Sequence, residues 1–196
     1  MTKRKQRRAL ARWECDTRQW AHQTARDLVL SMVRGQPTPA TPYRIGVVLD
    51  PGERVWAECP LRFIQEIVPA DGPAVPPVRP WLVTSDRIVG RLGDDHLYGW
   101  RWENVRGCRL DLSPALEFVA VELDDGTRLD WTGAATAPLA VAAVYRLHGK
   151  RALVDHPGLS AIRLNRRDED PPSSTSTWPA PELSISTQSE IWAQTT

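Results

Sequence analysis

RPWLVTSDRIVGRL, residues 79–92, consists of two apolar runs divided by Thr84, Ser85, Asp86 and Arg87. Ser and Asp hydrogen-bond their own backbone and favour reversals, while Val, Ile, Leu and Trp in short runs suit a pleated, half-buried surface. The stretch predicts a hairpin that turns at Ser85 and Asp86, and a hairpin here implies a β-rich domain around it.

Toward the C-terminus, Gly93, Asp94 and Asp95 mark the next reversal. HLYGWRW then alternates, so that Tyr98, Trp100 and Trp102 share one face while Arg101 and Glu103 share the other. CRLDL, the Ser113-Pro114 turn, LEFVAVEL, the DDG turn at 124–126 and RLDW continue the pattern. Toward the N-terminus, RVWAEC follows the turn residues DPGE at 50–53, and LRFIQEIV follows Pro60. Pro60 is expected to separate these two runs into two strands, because proline cannot donate to a ladder. The Pro-rich IVPADGPAVPPVRP is expected to be a long surface connection. The total is about seven strands. TAPLAVAAVYRLHG after them reads as a helix, with Thr136 as cap, Pro138 in the first turn, Gly149 as stop, and Leu139, Ala143, Val144 and Leu147 on one face.

The organisation expected is a basic helical arm at 1–34, a linker at 35–42, one domain at 43–149, a short extension at 150–167 built on Leu153, Val154, Leu159 and Ile162, and a disordered tail at 168–196. The arm lacks Gly and Pro and runs into GQPTPATP, which stops a helix. The tail is rich in Ser, Thr and Pro with few large apolar residues, too few to offset the entropy of ordering. Trp178 and the pair Ile191 and Trp192 are a docking motif or stray aromatics in that tail. Length favours one domain with arms: 196 residues, 41% hydrophobic.

Seven antiparallel strands closed by one C-terminal helix resemble the pleckstrin-homology-like superfamily, with the nearest likeness to its bacterial PH and GRAM-type branches. The resemblance rests on PGERVWAE at 51–58, WLVTSDRIVGRL at 81–92 and WRWENVRG at 100–107, and it covers roughly residues 43–149. It implies an α+β fold, mainly β with helices: a bent seven-stranded antiparallel sheet or open barrel capped by the C-terminal helix and preceded here by the long N-terminal one. Trp56, Trp81, Trp100, Trp102 and Trp131 are then core and helix-contact residues, the alternative being an aromatic surface for a partner. The family's phosphoinositide site uses basic residues around the loop joining its first two strands. That joint, read as Cys59, Pro60, Leu61 and Arg62, offers one cation, and Arg54 alone precedes it. No head-group selectivity is expected.

The four histidines are scattered, no linear catalytic motif is present, and Glu122, Asp124, Asp125 and Asp130 read as an exposed hairpin. Neither an enzyme nor a metal or cofactor is expected. Cys15, Cys59 and Cys108 are too few and too far apart for a disulfide framework or zinc site. No apolar run reaches the ~18 residues of a membrane span. The expected location is the cytoplasm, peripheral to a membrane if the arm binds lipid. Lys3, Lys5 and Lys150 are the only lysines, an arginine bias that fits a GC-rich genome, actinobacterial or phage-like.

Charge is concentrated in the arm: residues 1–34 hold nine Lys and Arg against three Asp and Glu. On a helical wheel Leu10, Trp13, Thr17, Trp20, Ala21, Thr24, Leu28 and Met32 form an apolar stripe, with Arg4, Lys5, Arg8, Arg12, Arg18, His22 and Arg26 opposite. The stripe either packs on the domain or a second copy, making a homodimer through this helix, or meets a membrane interface or nucleic acid. Arg4, Lys5, Arg7, Arg8, Arg12, Trp13 and Trp20 are the candidate contacts for an anionic surface. A weaker candidate anion patch is Arg79, Arg87, Arg91 and Arg101, whose alternation with apolar residues also fits a solvated strand face. The function expected is that of an adaptor engaging a protein partner, with anionic membrane or nucleic-acid binding through the arm as the alternative.

Overall fold

The computed structural model describes residues 3–38, 41–65, 75–92 and 96–162. The turn expected at 93–95, much of the Pro-rich connection, and the tail with Trp178, Ile191 and Trp192 lie outside the described residues. The chain is α+β, mainly β with helices. A long helix α1 (Lys3–Arg34) precedes seven strands, β1 (Val55–Phe63), β2 (Arg79–Thr84), β3 (Arg87–Arg91), β4 (Leu97–Arg101), β5 (Val105–Asp111), β6 (Phe118–Leu123) and β7 (Arg128–Thr132), and helix α2 (Ala137–Asp155) follows them.

The strands form one antiparallel sheet in the order β4-β3-β2-β1-β7-β6-β5. Its two edge strands are consecutive in sequence, joined only by the 3-10 turn Trp102–Asn104. Laid flat, seven strands would set their edges roughly 29 Å apart, more than twice the ~14 Å that this link can span. The sheet therefore curls until β4 and β5 meet at one corner, as an open barrel. Trp102 fastens the corner, its backbone N–H donating to the Asp86 carbonyl and its indole N–H to the Thr84 carbonyl at 2.9 Å.

The hairpin at 79–92 forms as expected, with Trp81 opposite Gly90 and Val83 opposite Ile88. Gly90 is required there, because a Cβ would lie 2.5 Å from the Trp81 ring. The expected break at Pro60 does not occur: β1 runs through it as one strand. Pro60 stands opposite Pro80, and the β1–β7 ladder begins only at Arg62, so the missing N–H removes no bond that a neighbour requires.

The main core lies inside the curl and extends through α2 to α1. Phe63, Trp81, Trp100 and Trp131 pack ring against ring, and Leu139, Ala140, Val141, Ala142, Ala143 and Val144 of α2 have no exposed surface. Six consecutive helical residues can all be buried only if the helix is covered on every side. The sheet covers one side of α2 and α1 lies along another, so where a one-sided apolar face was expected the first two turns of α2, residues 137–144, are buried all round and the later turns are largely exposed. Thr136 makes no side-chain cap, while Pro138 does sit in the first turn. Gly149, at φ 74°, kinks α2 where a stop was expected, and the chain resumes helix to Asp155. A 3-10 turn, Pro157–Ile162, then buries Leu159 and Ile162; with Leu153 these form the expected extension, while Val154 is exposed.

Candidate functional site

Two surfaces carry the residues singled out in the sequence. The first is α1. Its stripe is real and is occupied: Thr17, Trp20, Ala21, Ala25, Leu28, Val29 and Met32 are buried, and all but Thr17 belong to the same apolar cluster as the barrel interior. Ala21 and Ala25, one turn apart, keep this face thin enough for close packing on α2. Trp20 is therefore a core residue and not a surface contact, and Trp13 is half-buried. The five cations Arg4, Lys5, Arg7, Arg8 and Arg12 are exposed, with one long i,i+4 pair from Arg12 to Asp16 at 3.9 Å.

Arg18, placed by the wheel opposite the stripe, instead fixes the helix to the sheet. Its guanidinium donates through Nε and Nη2 to the two carboxylate oxygens of Glu117. The hydrogen bond to Glu117 raises the Arg18 pKa against the opposing cost of burial. Glu117 adopts φ 40°, the only described non-glycine residue with positive φ. Beside the pair, His22 has its pKa lowered by burial and then by the Arg26 charge, which favours the neutral imidazole.

The second surface is the outer face of the β1–β4 half. Residues 41–50 have no strand pairing yet lie across it as a strap, with Ile45 and Val47 packed on Val55, Leu82 and Val89 in a separate apolar cluster. Arg87, Arg91 and Arg101 tie the strap down. Arg87 donates to the Val48 carbonyl at 2.8 Å and to both oxygens of Glu53 at 3.0 Å; Arg91 reaches the Gly46 carbonyl at 3.3 Å; Arg101 binds Asp50 at 2.6 Å. Glu53, whose side chain is fully buried, also accepts from Thr84 Oγ1 at 2.6 Å and from the Asp50 N–H at 2.8 Å. Burial pushes its pKa up, but the hydrogen bonds from Arg87, Thr84 and Asp50, with the Arg87 charge, outweigh burial and leave it lowered. Under the strap Glu58 accepts the Arg44 N–H at 2.8 Å, and there burial prevails and raises the pKa.

The candidate anion patch is thus divided. Arg87, Arg91 and Arg101 spend their guanidinium donors on the protein's own strap, which a solvated face would not require. Arg79 lies two and four positions before Trp81 and Val83, whose side chains enter the inner core, so strand alternation places it on their face and not on the outer face with Arg87, Arg91 and Arg101. The presumed phosphoinositide joint moves as well. With β1 continuous, the link between the first two strands is 64–78, which contains no Lys or Arg, and Arg62 is half-buried and donates to the Pro76 carbonyl at 3.1 Å. The strap and its buried carboxylates Glu53 and Glu58 were missed in the sequence; the alternation of Ile45, Val47 and Leu49 signalled the strap, and nothing local signalled the carboxylates. Beside the strap an open groove of about 340 Å³ lies against β4.

Among the described residues no helix is long and apolar enough to cross a membrane. No protein-family model matches the sequence, and no curated protein matches it.

Proposed function

We propose that this protein is a non-enzymatic adaptor, a pleckstrin-homology-like domain that presents the basic end of α1 to an acidic surface on a protein partner. The observation that carries the reading is the exposure of Arg4, Lys5, Arg7, Arg8 and Arg12 on a helix whose later turns are built into the core. Cations on a rod already fixed in place lose little entropy on binding. The order of the strands and the α2 cap agree with the superfamily resemblance, and free Cys15, Cys59 and Cys108 suit a cytoplasmic setting.

The same cations favour a second reading, attraction to an anionic membrane or nucleic acid. Burial of the stripe weighs against insertion into lipid, because α1 would first have to leave the core. It equally leaves little of the stripe for a homodimer. The deciding experiment is capture from host lysate with the full chain and with Arg4→Glu/Arg7→Glu/Arg8→Glu, each with and without nuclease and detergent. A partner that survives both treatments and is lost with charge reversal supports the adaptor. Loss on nuclease or detergent transfers the function to nucleic acid or membrane, and capture indifferent to charge reversal excludes the basic end.

A further inference from the structure

The two edges of the sheet are treated differently. The Pro157–Ile162 turn packs against β5, where Gly158 approaches Leu110 so closely that a Cβ would fall 2.2 Å from its Cδ1. No described strand pairs with the far side of β4, and Leu97, Tyr98, Gly99 and Arg101 are exposed. The strand is short and carries one charged residue, Arg101, but it has no Pro, no Lys and no bulge against β3.

The register tells which backbone groups are open. Leu92 N–H donates to the His96 carbonyl and Trp102 N–H to the Asp86 carbonyl, which makes 92/96 and 86/102 hydrogen-bonded pairs at the two ends of one ladder. Alternation between them assigns Tyr98 and Trp100 to the bonded pairs with Gly90 and Ile88. Leu97, Gly99 and Arg101 fall between, so their N–H and C=O groups point away from β3, along the open edge. Their side-chain positions line the groove together with Val47, Val48 and Val89. Gly99 keeps its floor low, and Val48 is 88% exposed and Leu97 47% exposed at its walls. An added strand would find three outward backbone units and an apolar slot for alternate side chains.

We propose that the β4 edge is a strand-addition site and that its occupant is the chain's own segment 182–187, Glu-Leu-Ser-Ile-Ser-Thr. Leu183 and Ile185 alternate with Ser184 and Ser186, the period that places two apolar side chains in the groove and two hydroxyls toward water. The twenty positions from Ile162 to Glu182 reach about 65 Å when extended, farther than the width of a domain this size. The segment is thus a built-in competitor for any partner strand. This site is independent of the basic end of α1.

The test is residue-resolved amide exchange on the full chain and on Ile185→Pro. Exchange at Leu97, Gly99 and Arg101 is expected to be at least about tenfold slower in the wild type than in the variant, with Tyr98 and Trp100, bonded to β3, equally protected in both. Equal, fast exchange at the three outward amides in both proteins overturns the proposal. So does protection that survives Ile185→Pro or that rises with protein concentration, since a second copy would then be the cover.

Discussion

On its inner face the sheet stacks Phe63, Trp81, Trp100 and Trp131 with ring centroids 5.3 to 6.1 Å apart, whereas on its outer face the first four strands hold a small apolar cluster beneath a strap fastened by three arginines. The inner face is maintained by volume. Its indole nitrogens at Trp81 and Trp131 are buried without a hydrogen-bond partner, so it gains nothing from polar contacts and should respond little to pH or salt. The outer face is maintained by charge around Glu53 and should respond to both. Two surfaces of the same strands therefore fail under different conditions.

The largest effect should come from the inner face. Trp131→Ala removes a ring in contact with three others and should cost roughly 3–5 kcal/mol in denaturant unfolding, nearly unchanged between pH 5 and 8. A strongly pH-dependent loss would break the contrast. Next is Glu53→Ala, which leaves the mostly buried Arg87 without its carboxylate and should cost about 2–4 kcal/mol. Because the folded-state pKa of Glu53 is lowered, its contribution is complete above the ordinary carboxylate range and disappears as pH falls through the lowered value. Wild type should therefore lose its advantage over the variant on acidification.

Glu58→Gln runs the other way. The raised pKa means that ionised Glu58 opposes folding above that value, so the amide should stabilise by ~1 kcal/mol or less at neutral pH. The gain should shrink as pH drops below the raised value and vanish below the ordinary carboxylate range, where the carboxyl is protonated in both states. Thermal melts of both proteins across pH 4–8 check it. The smallest effect is expected for Arg101→Ala, whose pair with Asp50 is nearly half exposed on both sides: a slight fall in melting temperature at low salt that disappears in high salt.

The same contrast explains what the sequence could show. The inner face was legible because its determinants are local: the turn at Ser85 and Asp86, the alternation of Tyr98 and Trp100, and Pro138 in the first turn of α2 are each read within a few residues. The outer face depends on Arg87 meeting Val48 and Glu53, more than thirty positions away, and no periodicity marks such a pairing. The arginines therefore read as a solvated face, and Pro60 as a break, since neither Pro80 opposite it nor the late start of the β7 ladder is visible locally. For α1 the stripe was legible but its destination was not, because a domain, a membrane and a second copy all require the same apolar line.

That destination has a cost in time. The stripe of α1 leaves the ribosome early, while α2, which covers it, follows about a hundred residues later. At ordinary elongation rates the basic amphipathic helix is without its native cover for roughly 5–20 s in every round of synthesis. In that interval its apolar stripe faces solvent, and the exposure ends when α2 arrives and the same residues become core.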